Sequence, residues 1–126
     1  MTIEKFMKSA ILLALTAVAL GALGAHTLKD ILSNSQMYSF ETGVRYQLFH
    51  AITLLILTLN ADKFNHHLIR SLTLMTTGIC FFSFSIYLLS IQQAISLPLS
   101  FLGPITPIGG VLLILSWIIL LFSIKK

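Results

Sequence analysis

A single cysteine, Cys80, sits inside an apolar run. One thiol excludes an intrachain disulfide and any multi-cysteine metal site, and in this setting it reads as a small core residue. Charge is scarce as well. Only 10% of the 126 residues are Asp, Glu, Lys or Arg, against about 25% in soluble domains. Acidic residues number four, and none lies deep in an apolar run, which weakens the case for a proton-coupled transporter. The eight Lys and Arg are spread along the whole chain, so they form no stripe for nucleic acid. No low-complexity tract, internal repeat or long linker divides the sequence, and one domain over residues 1–126 is expected.

What the sequence does have is apolar length. Hydrophobic residues make up 56% of it, too many for a water-facing surface. They gather in four runs: Ser9 to Ala25, Gly43 to Leu59, Ser71 to Ile91, and Gly103 to Ile124. A membrane span needs about 20 mostly apolar residues, which predicts spans at about 9–26, 43–60, 69–91 and 103–124. Lipid offers backbone groups no hydrogen-bond partner, so helix is the expected form. The runs do not alternate polar and apolar residues as a barrel strand would. The expected fold is an all-α, integral membrane four-helix bundle. Ser33 to Thr42 reads as a short interfacial helical lead-in to the second span, capped by Ser33 or Ser35. Glu41 and Arg45, four residues apart, are placed to pair on one helix face.

Four spans put both termini and the 60–68 loop on one side. That side holds Lys5, Lys8, Lys63, Arg70, Lys125 and Lys126, and the other holds only Lys29 and Arg45. The positive-inside rule therefore places both termini in the cytoplasm. Lys5, Lys8, the apolar run and Ala22-Leu23-Gly24 also fit a signal peptide with a small-residue cleavage site. Retention of this segment as the first span is the reading adopted.

The same topology gathers polar residues at the outer ends of the spans: His26, Arg45, Tyr46, Gln47, His50, Ser83, Ser85, Tyr87, Thr106, Gly109 and Gly110. Tyr46 and Gln47 precede His50 by four and three residues, so all three can face one neighbour. An ionisable residue within a span is a functional candidate by default. The plainer reading is a helix-to-helix hydrogen bond, worth about 0.6 kcal/mol on average. Arg45 can reach a lipid phosphate, and His26 can cap the end of the first helix. The pair His66-His67 falls on the opposite side and cannot join them in a metal site. Gly21, Gly24 and Ala25 give the first span a small-residue face suited to close helix packing. Gly103-Pro104 to Gly109-Gly110 makes the start of the fourth span irregular.

Three segments together carry a resemblance: Gly21-Ala22-Leu23-Gly24-Ala25-His26, Arg45-Tyr46-Gln47-Leu48-Phe49-His50, and Ile105-Thr106-Pro107-Ile108-Gly109-Gly110. In order and spacing they resemble the bacterial domain-of-unknown-function family 423, to which eukaryotic transmembrane protein 256 is related. The resemblance covers nearly the whole chain, including the first span. It implies a small membrane protein and brings no agreed activity with it. Phe84 and Pro104 depart from the smaller residues that similar proteins tend to have there.

The leading functional expectation is a non-enzymatic membrane protein with a polar pocket in its outer leaflet, binding a lipid or small ligand or serving as an accessory subunit. Its candidate residues are His26, Arg45, Tyr46, Gln47, His50, Thr106, Gly109 and Gly110. The alternative is an oligomeric transporter or channel for ions or small solutes. No serine, cysteine or acid is paired with a histidine in a catalytic pattern, and no cofactor is expected. The expected partners are the lipid bilayer and either further copies of the chain or a larger membrane complex, with no nucleic acid.

Overall fold

A computed structural model describes all of Met1–Lys126. Helix α1 covers Ile3–His26 and starts at Thr2, whose hydroxyl accepts from the Lys5 N–H at 3.3 Å. Glu4 in its first turn complements the positive helix end. A short 3-10 turn, Leu28–Asp30, follows. Helix α2 then runs unbroken through Asn34–Leu59. Of the two serines able to cap it, Ser33 is used, in a reciprocal box with Gln36. The lead-in is thus the first turns of α2 itself. Its 26 residues extend about 39 Å, against a hydrocarbon thickness of about 30 Å. The surplus turns reach the head-group level.

The third span is less regular. Helix α3, Leu68–Ile79, passes through one π-helical turn, Cys80–Phe84, into α4, Ser85–Ile91. A 3-10 turn at Ser100–Leu102 leads to α5, Ile105–Leu121, behind Pro104. Proline is tolerated there because its missing N–H had no helical partner to lose. Four helical segments are long and apolar enough to cross a membrane, and no strand forms beyond an isolated bridge between Phe64 and Ile124.

α1 packs chiefly on α2, and α3 on α5. The two hairpins meet where α2 touches α3, the π turn and α4. At the end bearing the chain termini the core is mainly apolar: Phe6, Ala10, Leu54, Leu72, Met75 and Ile79 are at most 1% exposed, with the Ser71, Ser116 and Ser123 hydroxyls buried beside them and bonded to backbone carbonyls. The C-terminus is tied to the loop after α2 there. The Asn65 N–H donates to the Ser123 carbonyl at 2.7 Å, and the Lys125 N–H to the Lys63 carbonyl at 3.1 Å. Leu32, Phe40 and Tyr87 form a smaller cluster at the other end.

Glycines decide where helices approach most closely. A Cβ on Gly24 would lie 2.9 Å from the Met37 Cε, and one on Gly21 would lie 3.5 Å from Val44. These two face α2, whereas Ala25 is exposed, so the small-residue face is narrower than its sequence suggests. The tightest seat is Gly109 of α5, where a Cβ would sit 2.7 Å from the Phe82 Cα in the π turn. Phe84 points away from this contact and is 39% exposed.

Candidate functional site

Gln47 is fully buried near the middle of α2. Its Nε2 donates to the Leu13 carbonyl and to Thr16 Oγ1, each at 2.8 Å. Its Oε1 accepts from the Tyr87 hydroxyl at 2.6 Å. One amide therefore ties α1, α2 and α4 together. Both its hydrogens and its oxygen find partners inside the protein.

His50 faces a different neighbour. The Trp117 indole N–H of α5 can only donate, and it lies 3.1 Å from His50 Nε2. Nε2 is therefore the acceptor, which puts the proton on Nδ1. Nδ1 then donates to the Tyr46 carbonyl at 2.7 Å. These two bonds fix a neutral ring in one tautomer. Tyr46 lies against Phe82, with ring centroids 4.7 Å apart.

The remaining candidates lie elsewhere. Thr106 Oγ1 is 2.6 Å from Ser85 Oγ. Gly109 abuts the Phe82 backbone, and Gly110 lies 3.8 Å short of the Phe82 ring by its absent Cβ. His26 is exposed at the end of α1. Arg45 is exposed too, donating to Thr42 Oγ1 at 3.0 Å with its guanidinium 5.6 Å from the Tyr38 ring. It does not pair with Glu41, since the single ion pair of the protein joins Lys8 to Glu4. The structure thus gathers Tyr46, Gly109 and Gly110 around Phe82 and links His50 to α5. Gln47 turns to α1 and α4, and His26 and Arg45 stand apart.

A cavity opens beside these residues, among the start of α2, the end of α4 and the start of α5. Its volume is about 420 Å³. From α2 come Ser35, Gln36 and Ser39; from α4, Ile86, Leu89 and Ser90; from the start of the last span, Gly103, Thr106 and Pro107. Gln36 Nε2 donates to Gln93 Oε1 at 2.9 Å. Ser90 is 3% exposed and its hydroxyl has no hydrogen-bond partner. Other span hydroxyls behave differently. Thr53 and Thr73, for example, each donate to the carbonyl four residues back at 2.8 Å. Leaving a buried hydroxyl unsatisfied costs about 1–3 kcal/mol. Of the candidate ligand residues named from sequence only Thr106 lines this groove; Ser35 was read there only as a possible helix cap, and Gln36, Ser39 and Ser90 were missed. A smaller cleft of about 200 Å³ lies between α1 and α2, lined by Gly21, Gly24, Phe40 and Val44 with Glu41 and Arg45.

A family model described as "Protein of unknown function (DUF423)" matches residues 20–110, a stretch that includes both faces of this groove. The chain belongs to this family. It is 42% identical over 117 residues to the UPF0382 membrane protein YwdK of Bacillus subtilis, covering 90% of this chain and 89% of that one. A UPF0382 membrane protein of Staphylococcus epidermidis is 39% identical, with 90% and 88% covered. One from Haemophilus influenzae is 35% identical over 123 residues, with 98% and 95% covered. No solved structure matches. With its four membrane-spanning helices, this member of the DUF423 family is a multi-pass cell-membrane protein.

Proposed function

We propose that the protein is a non-enzymatic membrane protein that holds a lipid or other small amphiphile in the groove among α2, α4 and α5. The open groove of about 420 Å³, with Ser35, Gln36 and Ser39 on one wall and apolar Ile86 and Leu89 on another, supports this reading most directly. Thr106 belongs to the same lining. On this reading Gln47 and His50 are tethers between helices, since their polar atoms are spent on Leu13, Thr16, Tyr87, Tyr46 and Trp117. The groove lies at the end opposite Lys5, Lys8, Lys63, Arg70, Lys125 and Lys126, which assigns it to the outer leaflet.

The test is identification of whatever co-purifies with the full chain in a mild detergent, by mass spectrometry. Ser39 is exposed on the groove wall, so Ser39→Trp fills the space without disturbing a packed contact. The variant should fold and lose the molecule. Equal retention by wild type and variant would place any bound molecule elsewhere and remove the groove from consideration.

A further inference from the structure

The cleft between α1 and α2 is a separate space from the groove among α2, α4 and α5, and no residue lines both except as a member of the shared helix α2. Gly21 and Gly24 of α1 and Phe40 and Val44 of α2 form its apolar walls, and Glu41 and Arg45, both exposed, complete the lining. Pockets that enclose a whole small molecule run to about 300–1,000 Å³. At about 200 Å³, this cleft seats only one part of a larger molecule, whose remainder lies along the protein surface.

Glu41 and Arg45 carry opposite charges one helical turn apart, yet they do not pair with each other, nor with Lys29 or Asp30 at the same end. Arg45 spends one donor on Thr42 Oγ1 and rests against the Tyr38 ring, which leaves most of its guanidinium N–H groups free. Two unlike charges thus border one cleft unmatched. An anionic head group would satisfy Arg45 and be repelled by Glu41. A neutral one would satisfy neither, and a zwitterion satisfies both. The order of the charges narrows the choice. Glu41 is nearer the start of α2, at the head-group level, and Arg45 lies about 6 Å deeper along the helix. A phosphoethanolamine head group has the same order, with its ammonium outermost and its phosphate beneath, next to the glycerol. The ammonium N–H groups can donate to the carboxylate, and the phosphate oxygens can accept from the guanidinium. Deeper still, Phe49, Ile52 and Ile56 continue the Arg45 face at helical spacing and are exposed. They give attached acyl chains an apolar path into the bilayer.

We propose that the α1–α2 cleft holds the head group of a phosphatidylethanolamine, with its ammonium on Glu41 and its phosphate on Arg45. The test uses the full chain, purified in an uncharged detergent and titrated by native mass spectrometry. The probes are phosphatidylethanolamine, phosphatidylglycerol and diacylglycerol with the same acyl chains, and free phosphoethanolamine. Phosphatidylethanolamine should be retained about three- to fivefold more tightly than phosphatidylglycerol, the scale of one solvent-facing ion pair, and more tightly again than diacylglycerol. Glu41→Gln should abolish the preference between the two phospholipids, and Arg45→Gln should weaken both. Both side chains are exposed, so both variants should keep the wild-type helical circular dichroism. Ser39→Trp, which fills the other groove, should leave the preference unchanged. A tighter hold on phosphatidylglycerol would overturn the zwitterion in favour of an anionic lipid on Arg45. Equal retention of all three lipids, or of none, would overturn the role of the two charges. A preference that survives Glu41→Gln would place the ammonium elsewhere and overturn the assignment. Displacement by free phosphoethanolamine at millimolar concentration would overturn the lipid in favour of a soluble ligand. A lipid-free dimer lost in either charge variant would overturn it in favour of a second copy of the chain.

Discussion

Two adjacent glycines of α5 should respond in opposite ways to the same substitution. A Cβ on Gly109 would lie 2.7 Å from the Phe82 Cα and 2.8 Å from the Phe81 carbonyl carbon. Contacting carbons rest about 3.5–4.0 Å apart, so Gly109→Ala must push α5 off the π turn by about 1 Å. The obstacle is backbone, which cannot rotate aside. A Cβ on Gly110 would meet only the Phe82 ring, at 3.8 Å, an ordinary contact. Both substitutions gain about 1 kcal/mol of helix propensity, and this shared gain cancels in the comparison. Overpacking costs about 1–3 kcal/mol, which leaves Gly109→Ala less stable than Gly110→Ala by about that amount. Unfolding by SDS titration in mixed micelles, followed through Trp117 emission, measures the difference. If Gly109→Ala proved as stable as Gly110→Ala, the close seat of α5 on the π turn would be refuted.

Gln47→Leu strands the buried Tyr87 hydroxyl and should cost about 1–3 kcal/mol in the same assay. Combined with Tyr87→Phe it should cost less than the sum of the two single changes, by about 0.6–1.7 kcal/mol; strict additivity would mean that the bond carries no coupling. Cysteines introduced one at a time should label from outside at position 29 and from inside at position 63, because six of the eight basic residues lie at the end with the termini. The reverse pattern would place the groove in the cytoplasmic leaflet.

The spans were legible because their signal is additive: an apolar run announces itself whatever it packs against. The cap was legible only as Ser33 or Ser35, and the reciprocal bonds between Ser33 and Gln36 in the structure decide for Ser33. The rotation of each helix about its axis was not. Spacing places Tyr46, Gln47 and His50 near one another on α2 but does not say which neighbour each meets. Gln47 goes to α1 and α4 while His50 goes to α5. Arg45 similarly finds Thr42 and Tyr38 on its own helix where spacing also allowed Glu41. The π turn at Cys80–Phe84 leaves no mark in composition. Yet it supplies the backbone against which Gly109 packs. The groove was hidden for a related reason. A serine in a span ordinarily satisfies itself on its own helix, so Ser90 stands out only once its hydroxyl is seen without a partner.

The pairing of α1 with α2 and of α3 with α5 has a mechanical consequence. Each hairpin is built from neighbours in sequence, so each can close locally before the two halves dock. The seam between the halves is greasy near the termini, where Leu54 meets the cluster of Leu72, Met75 and Ile79. Toward the other end it depends more on directional bonds, such as Tyr87 to Gln47 and Ser83 to the Gly43 carbonyl at 2.8 Å. The assembly therefore resembles a clothes-peg, with its spring in the apolar end and its jaws beside the groove. Parting the jaws breaks a few hydrogen bonds and the small Phe40–Tyr87 packing contact, and leaves the spring intact.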